Sequence, residues 1–196
     1  MTRWFLPLLS IGGAAALAVG CGTSPPSNYY TLVSTATPSG APPARFGVEV
    51  GPVSVPDSVD RPNFVVAVGP NQVSIEEFDR WAAPLGDGIA RVVAGDLAVL
   101  LQTPDVATAP FASFDPVYRV TIDVQRFDSR PGESALVEAV WVVRKVAGGE
   151  TRSGRTVASE AVQGDGFDAL AAAHSRALGK LSADIAAAIR ATAGAP

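Results

Sequence analysis

The chain has 196 residues, 47% of them hydrophobic and 17% charged, with a net charge of −4 and one cysteine. That length is enough for one domain with a real core. The mild acidity, with no cluster of Lys or Arg, argues against nucleic acid as a partner; one cysteine excludes an internal disulfide, and one histidine leaves too few ligands for a His/Cys metal site.

Arg3 supplies positive charge, and the stretch from Trp4 to Val19 is apolar, uncharged and rich in small residues. This is the pattern of a secretory signal over 1–20. The run is shorter than the ~20 residues of a spanning helix, and Pro7 and the Gly12-Gly13 pair weaken it as one. Ala18-Val19-Gly20-Cys21 resembles a bacterial lipobox, in which a small residue before the cysteine admits the signal peptidase and the thiol is then acylated. Ala18 stands where Leu is usual. A leftover cysteine in an exported chain asks for an explanation, and covalent diacylglyceryl and acyl groups on Cys21 supply one. No other cofactor is expected. Removing 1–20 takes away Arg3 alone among the charges, so membrane affinity rests on the acyl chains and not on a basic patch.

Residues 21–28 read as a lipidated Pro/Ser tether. A single domain is expected over 29–192, with a tail at 193–196. It opens at Tyr29-Tyr30-Thr31-Leu32, four residues of high strand propensity. Residues 35–44 are a Pro/Gly/Ala loop. Phe46 to Val53 alternates and predicts a strand, Pro56 to Pro62 is rich in turn formers, and 64–68 with 72–75 form a hairpin about Gly69-Pro70-Asn71. Leu85, Ile89, Val92, Val93, Leu97, Leu100 and Leu101 then fall at helical spacing, stopped by Thr103-Pro104. Gly86, Gly88 and Gly95 each cost this helix about 1 kcal/mol against Ala, so tertiary contacts must hold it. Val117 to Phe127 shows the clearest period of two. It is followed by strands over 136–146 and 151–162, which together make an antiparallel meander. The last element is an amphipathic helix with Phe167, Leu170, His174, Leu178, Leu181, Ile185 and Ile189 on one stripe. The fold class is therefore α/β: a mixed sheet of about five or six strands, including the three-strand meander, covered by two amphipathic helices.

The sequence offers little chemistry. His174 lies on the apolar stripe of the last helix and reads as a core residue, so no nucleophile has a base of the usual kind. Asp57 with Asp60, and Glu76 with Glu77 and Asp79, fall in what read as polar connections, the second set just before the first helix; solvation explains them better than acid–base work. No catalytic residue and no metal site are assigned, and an envelope hydrolase is set aside.

Four stretches carry a resemblance: Tyr29-Tyr30-Thr31-Leu32; Val50-Gly51-Pro52-Val53 with Pro56 through Asp60-Arg61-Pro62; Asn71-Gln72-Val73; and Arg80-Trp81-Ala82-Ala83-Pro84-Leu85. In this order and spacing they resemble the PqiC family, the ABC-type transport auxiliary lipoproteins, from the lipobox to the last helix. One departure is Ala83, where the family pattern has Glu. The resemblance implies a lipid-anchored accessory subunit on the periplasmic leaflet of the outer membrane, without enzymatic activity. It implies a PqiB-like MCE-domain partner with inner-membrane and ABC components, a ring-shaped homo-oligomer that docks the transport tube, and a role in envelope integrity. Gly22 after the cysteine, in place of Asp, resembles an outer-membrane sorting signal. The competing reading is a stand-alone periplasmic lipoprotein that binds a small hydrophobic ligand. Asp60, Arg61, Pro62, Arg80 and Trp81 are the candidate partner-binding residues. Asp60-Arg61-Pro62 is either a contact loop or a turn in which Asp60 accepts backbone hydrogen bonds; Trp81 is either an interface anchor or a core residue where the helix starts, with Arg80 turned to water.

Overall fold

The structure, a computed structural model, describes residues 25–38, 40–110 and 113–194. The predicted signal peptide over 1–20, Cys21 and the tether up to residue 24 lie outside the described residues. The elements in chain order are β1 (Asn28–Tyr30), β2 (Val48–Ser54), β3 (Asn63–Gly69), β4 (Gln72–Trp81), α1 (Leu85–Leu101), β5 (Val106–Thr108), β6 (Tyr118–Arg130), β7 (Ser134–Lys145), β8 (Thr151–Ala161) and α2 (Gly166–Ala193).

All of these strands belong to one mixed sheet, and β6 is its spine. One edge of β6 pairs with β7 in antiparallel register from Tyr118↔Lys145 to Arg130↔Ser134, and β8 continues the meander beyond β7. The other edge is shared: β2 runs parallel to its first half, and β3 touches it at Val66↔Ser129. β4 pairs back on β3, β1 lies parallel to the end of β4, and β5 lies parallel to the start of β2. The alternation in β6 explains its position. Tyr118, Val120, Ile122 and Val124 are buried while Arg119, Thr121, Asp123 and Gln125 are exposed. A bulge between Val124 and Arg126 leaves two successive residues outside and returns Phe127 to the core.

Both helices cover the same face, α1 against β2, α2 against β7 and β8, and each against the other. Leu170, Leu178, Leu181, Ile185 and Ile189 on the α2 stripe are fully buried, and each such side chain contributes roughly 1.5–3 kcal/mol. The opposite sheet face stays open, held by ion pairs of Arg126 and Arg155 with Glu138.

The glycines of α1 have a packing reason. Residues 31–36 form no strand; they run as an extended strap across the two helices. A Cβ on Gly86 would lie 3.2 Å from the Val53 carbonyl, one on Gly95 3.3 Å from Ser34 Cβ, and one on Gly179 of α2 2.7 Å from Thr35 Oγ1, whereas Gly88 leaves ordinary contact distance, 3.6 Å, to Leu32 Cδ1. Buried Asp96 pins the strap. Its Oδ1 accepts from Ser34 Oγ (2.6 Å), the Thr35 amide (3.0 Å) and the Ala36 amide (3.1 Å), and its Oδ2 accepts from Ser182 Oγ (2.8 Å). Farther on, Gln102 donates to the Ala41 carbonyl, and Arg190 to those of Pro42 and Leu100.

The α/β mixed sheet with its meander and two helices matches the expected architecture, with more strands than expected. The additional strands include β5, a three-residue piece in a stretch without periodicity. One expectation is corrected. Glu76, Glu77 and Asp79 do not lie in a connection before a helix; they belong to β4, which continues to Trp81. The pairing of β1 with Asp79–Trp81 prolongs that strand. The Asn63 side chain bridges the irregular stretch by donating to the Glu76 carbonyl at 2.7 Å.

Candidate functional site

The loop between β2 and β3 is a turn closed by backbone groups. The amides of Val59 and Asp60 both donate to the Pro56 carbonyl at 3.0 Å, and the Arg61 amide donates to that of Val59 at 2.8 Å. The closing acceptor is therefore the Pro56 carbonyl and not the Asp60 carboxylate. Asp60 and Pro62 are exposed, and Arg61 is half-buried. The Arg61 Nε is shielded from solvent and has no acceptor among the described residues.

This loop is tied to the end of β4. The Trp81 amide donates to the Pro62 carbonyl at 2.7 Å, and the Ala82 amide donates to the Tyr30 carbonyl at 2.8 Å. Trp81 ends a strand and is not the start of a helix, but it is a core residue, only 7% exposed. Its ring stacks on Phe64 with centroids 4.0 Å apart and meets Phe127 edge-on at 6.0 Å. Arg80 points the other way, with Nε donating to the Glu77 carbonyl at 3.1 Å. On β1, the Tyr30 hydroxyl donates to Asp79 Oδ1 at 2.7 Å and Asn28 Nδ2 donates to the same oxygen at 3.1 Å. Burial of the ring and the adjacent carboxylate push the Tyr30 phenol up to about 12.

Asp60, Arg61, Pro62, Arg80 and Trp81, separated in sequence, thus meet at one end of the domain, beside β1. Asn71-Gln72-Val73 does not join them. It forms the tip of the β3–β4 hairpin, where Val73 is 59% and Ile75 50% exposed. In the Val50-Gly51-Pro52-Val53 stretch, Gly51 takes a φ of +122°, a conformation that L side chains rarely adopt, and the register with β6 shifts there. Cys21 lies outside the described residues.

His174 is fully buried on α2. Its ring stacks on Phe127 at 3.9 Å and 6°, and its Nε2 lies 2.8 Å from Ser129 Oγ. Burial pushes its pKa down to about 3, so it is neutral. The pair has the spacing of a hydrolytic Ser–His dyad, but both residues are shut away from solvent and no third group among the described residues orients Nδ1. The tautomer with the proton on Nε2, donated to Ser129, leaves only a lone pair unpartnered, which is cheaper than a buried orphan N–H.

Two features were missed in the sequence. Asp96 sits inside the apolar arc of α1, one turn beyond Val92 and Val93, a polar residue where a core residue belongs; that position was its signal. The other is a half-open cleft of about 270 Å³ between the strap, the end of β4 and α1, lined by Tyr30, Leu32, Ser34, Trp81, Leu85 and Arg91 among others. It exists only because the strap crosses the helices, and no local pattern announces it. Among the described residues no group of three or more His, Cys, Asp or Glu could hold a metal ion, and no helix is long and apolar enough to cross a membrane.

Comparison with solved structures identifies the fold. A crystal structure of an uncharacterised protein superposes with a TM-score of 0.67 at 22% identity, over 84% of this chain and 99% of that one. A Xanthomonas campestris protein of the DUF330 family gives 0.66 at 21% identity, over 81% and 92%. No curated protein matches the chain. The sequence model of the family described as "ABC-type transport auxiliary lipoprotein component" matches residues 30–186, from β1 into the last helix. The chain therefore belongs to the ABC-type transport auxiliary lipoprotein family.

Proposed function

We propose that this chain is the lipid-anchored, non-enzymatic accessory subunit of an MCE-type ABC system that moves lipid between two membranes. It is held in the periplasmic leaflet of the outer membrane by diacylglyceryl and acyl groups on Cys21. Its role is to dock the transport tube there, as a ring of copies, and to support envelope integrity. The family match over residues 30–186 supports the transport role.

The observation that carries the docking surface is the convergence of the β2–β3 loop, the end of β4 and β1. Arg61 stands there with a shielded Nε that no described residue accepts from, beside exposed Asp60 and Pro62. Trp81 supports this surface from within. A buried donor without an acceptor costs roughly 1–3 kcal/mol, and a partner's carboxylate or carbonyl would remove that cost. The test is co-purification of the MCE-domain partner, and the size of the assembly, from detergent-solubilised envelopes. Arg61→Ala removes that orphan donor, so the variant should melt no lower than wild type, yet both readouts should weaken. An Arg61→Ala protein that assembles and binds like wild type would remove this loop from the interface.

A further inference from the structure

The cleft beside Trp81 has a composition that the docking role does not require. Its apolar wall comes from Leu32, Trp81, Leu85 and Val92, and among the described residues Arg91 is the only charged one that lines it. Arg91 is exposed and makes no ion pair among the described residues; its Nε donates to the Asp87 carbonyl at 3.3 Å, which leaves the outer guanidinium nitrogens for a ligand. No carboxylate among the described residues lines the cleft. Ala83 is one of the small residues that line it. Gly88 is another, and a Cβ there would meet nothing closer than 3.6 Å. At about 270 Å³ the space falls just below the roughly 300–1,000 Å³ of sites for drug-sized ligands. That is room for about the first ten carbons of one acyl chain, whose tail would extend past the cleft, and not for the two chains of a diacyl phospholipid.

We propose that this cleft binds a single-chain anionic amphiphile, the chain lying against Leu32, Trp81, Leu85 and Val92 and the carboxylate or phosphate head on Arg91. Charge complementarity selects the head, and the narrow apolar wall selects one chain. The inference is independent of the tube-docking surface and stands if that surface is reassigned.

The test uses the intact lipoprotein in phosphatidylcholine vesicles and a palmitate that carries a photoreactive diazirine. After irradiation, adducts should map to peptides containing 30–34 and 81–92. Unlabelled palmitate and lysophosphatidylglycerol should compete; hexadecanol, with the same chain and no charge, should not. Competition by palmitate alone assigns a carboxylate head, and competition by both assigns any anion. Arg91→Glu, on an exposed helix face, should lower adduct yield about tenfold, the loss expected when a charge-assisted hydrogen bond becomes a repulsion. Gly88→Leu should do the same by filling the cleft, and its better helix propensity protects the fold. Adducts that are absent, that map elsewhere, or that persist in both variants would overturn the proposal. Hexadecanol competing as well as palmitate would overturn the anionic head.

Discussion

Trp81 shows how one side chain serves two neighbours at once. Its backbone amide fixes the Pro62 carbonyl of the candidate docking loop, while its ring stacks on Phe64 in the core. Trp81→Ala should therefore cost about 3–5 kcal/mol of stability, the range for deleting a buried large aromatic, and chemical denaturation measures it. A loss under 1 kcal/mol would mean that the ring is dispensable to the core. His174 makes a second, pH-dependent prediction. Its folded pKa lies near 3, below the ordinary 6.5, so the unfolded chain takes up the proton first as pH falls. Its contribution is intact above the unfolded value and is lost progressively below it. Between pH 7 and pH 4 this amounts to about 3 kcal/mol. His174→Gln, which keeps a donor for Ser129, should remove that share of the acid sensitivity, read as the difference between wild-type and variant urea midpoints at both pH values. Equal acid sensitivity of the two proteins would show that carboxylates elsewhere carry all of it.

At the scale of elements, the strap over 31–36 depends on polar pegs more than on apolar burial, since Thr31, Val33, Ser34 and Thr35 are exposed. Asp96→Ala should free it. The substitution leaves Ser34, Thr35, Ala36 and Ser182 without their common acceptor, at a cost of roughly 2–4 kcal/mol for several donors, some of which regain water. Amide exchange at Thr35 and Ala36 should rise selectively, while β6 and β7 amides change only with global stability. A uniform rise would show that the strap is not an independent unit. The same element marks the limit of what the sequence discloses. The period-two pattern of β6 and the apolar stripe of α2 report burial directly, so those elements and the meander were legible. The glycines of α1 announced that something packs on it, but not what. β5 and the last residues of β4 take their strand form from partners distant in the chain, and Glu76-Glu77 carry no alternation to betray it. The cleft and the polar pegs of the strap are products of chain crossing, which no local period encodes.

At the scale of the whole molecule, the proposed anchor and the fold together set an orientation. Six residues separate Cys21 from Asn28, and the seven steps between the two span at most about 25 Å when fully extended. β1 joins β4 at Asp79–Trp81, whereas the hairpin tip lies at the opposite end of β4, next to Gln72. The end that holds β1, the Arg61 loop and the mouth of the cleft is thus the end nearest the lipid, and the exposed Val73 and Ile75 project away from it. The single cysteine makes this measurable, because the proposed acylation would consume Cys21 and leave any introduced cysteine as the only free thiol. A fluorophore on Tyr29→Cys, at a side chain 64% exposed, should be strongly quenched by vesicles carrying a headgroup quencher. The same fluorophore on Asn71→Cys at the hairpin tip should be quenched weakly. Adding Cys21→Ser to either variant should abolish the quenching along with membrane retention. Equal quenching at positions 29 and 71 would mean that the domain tumbles freely on its tether. The membrane would then not present the Arg61 loop in any fixed direction, and docking would have to orient the domain by itself.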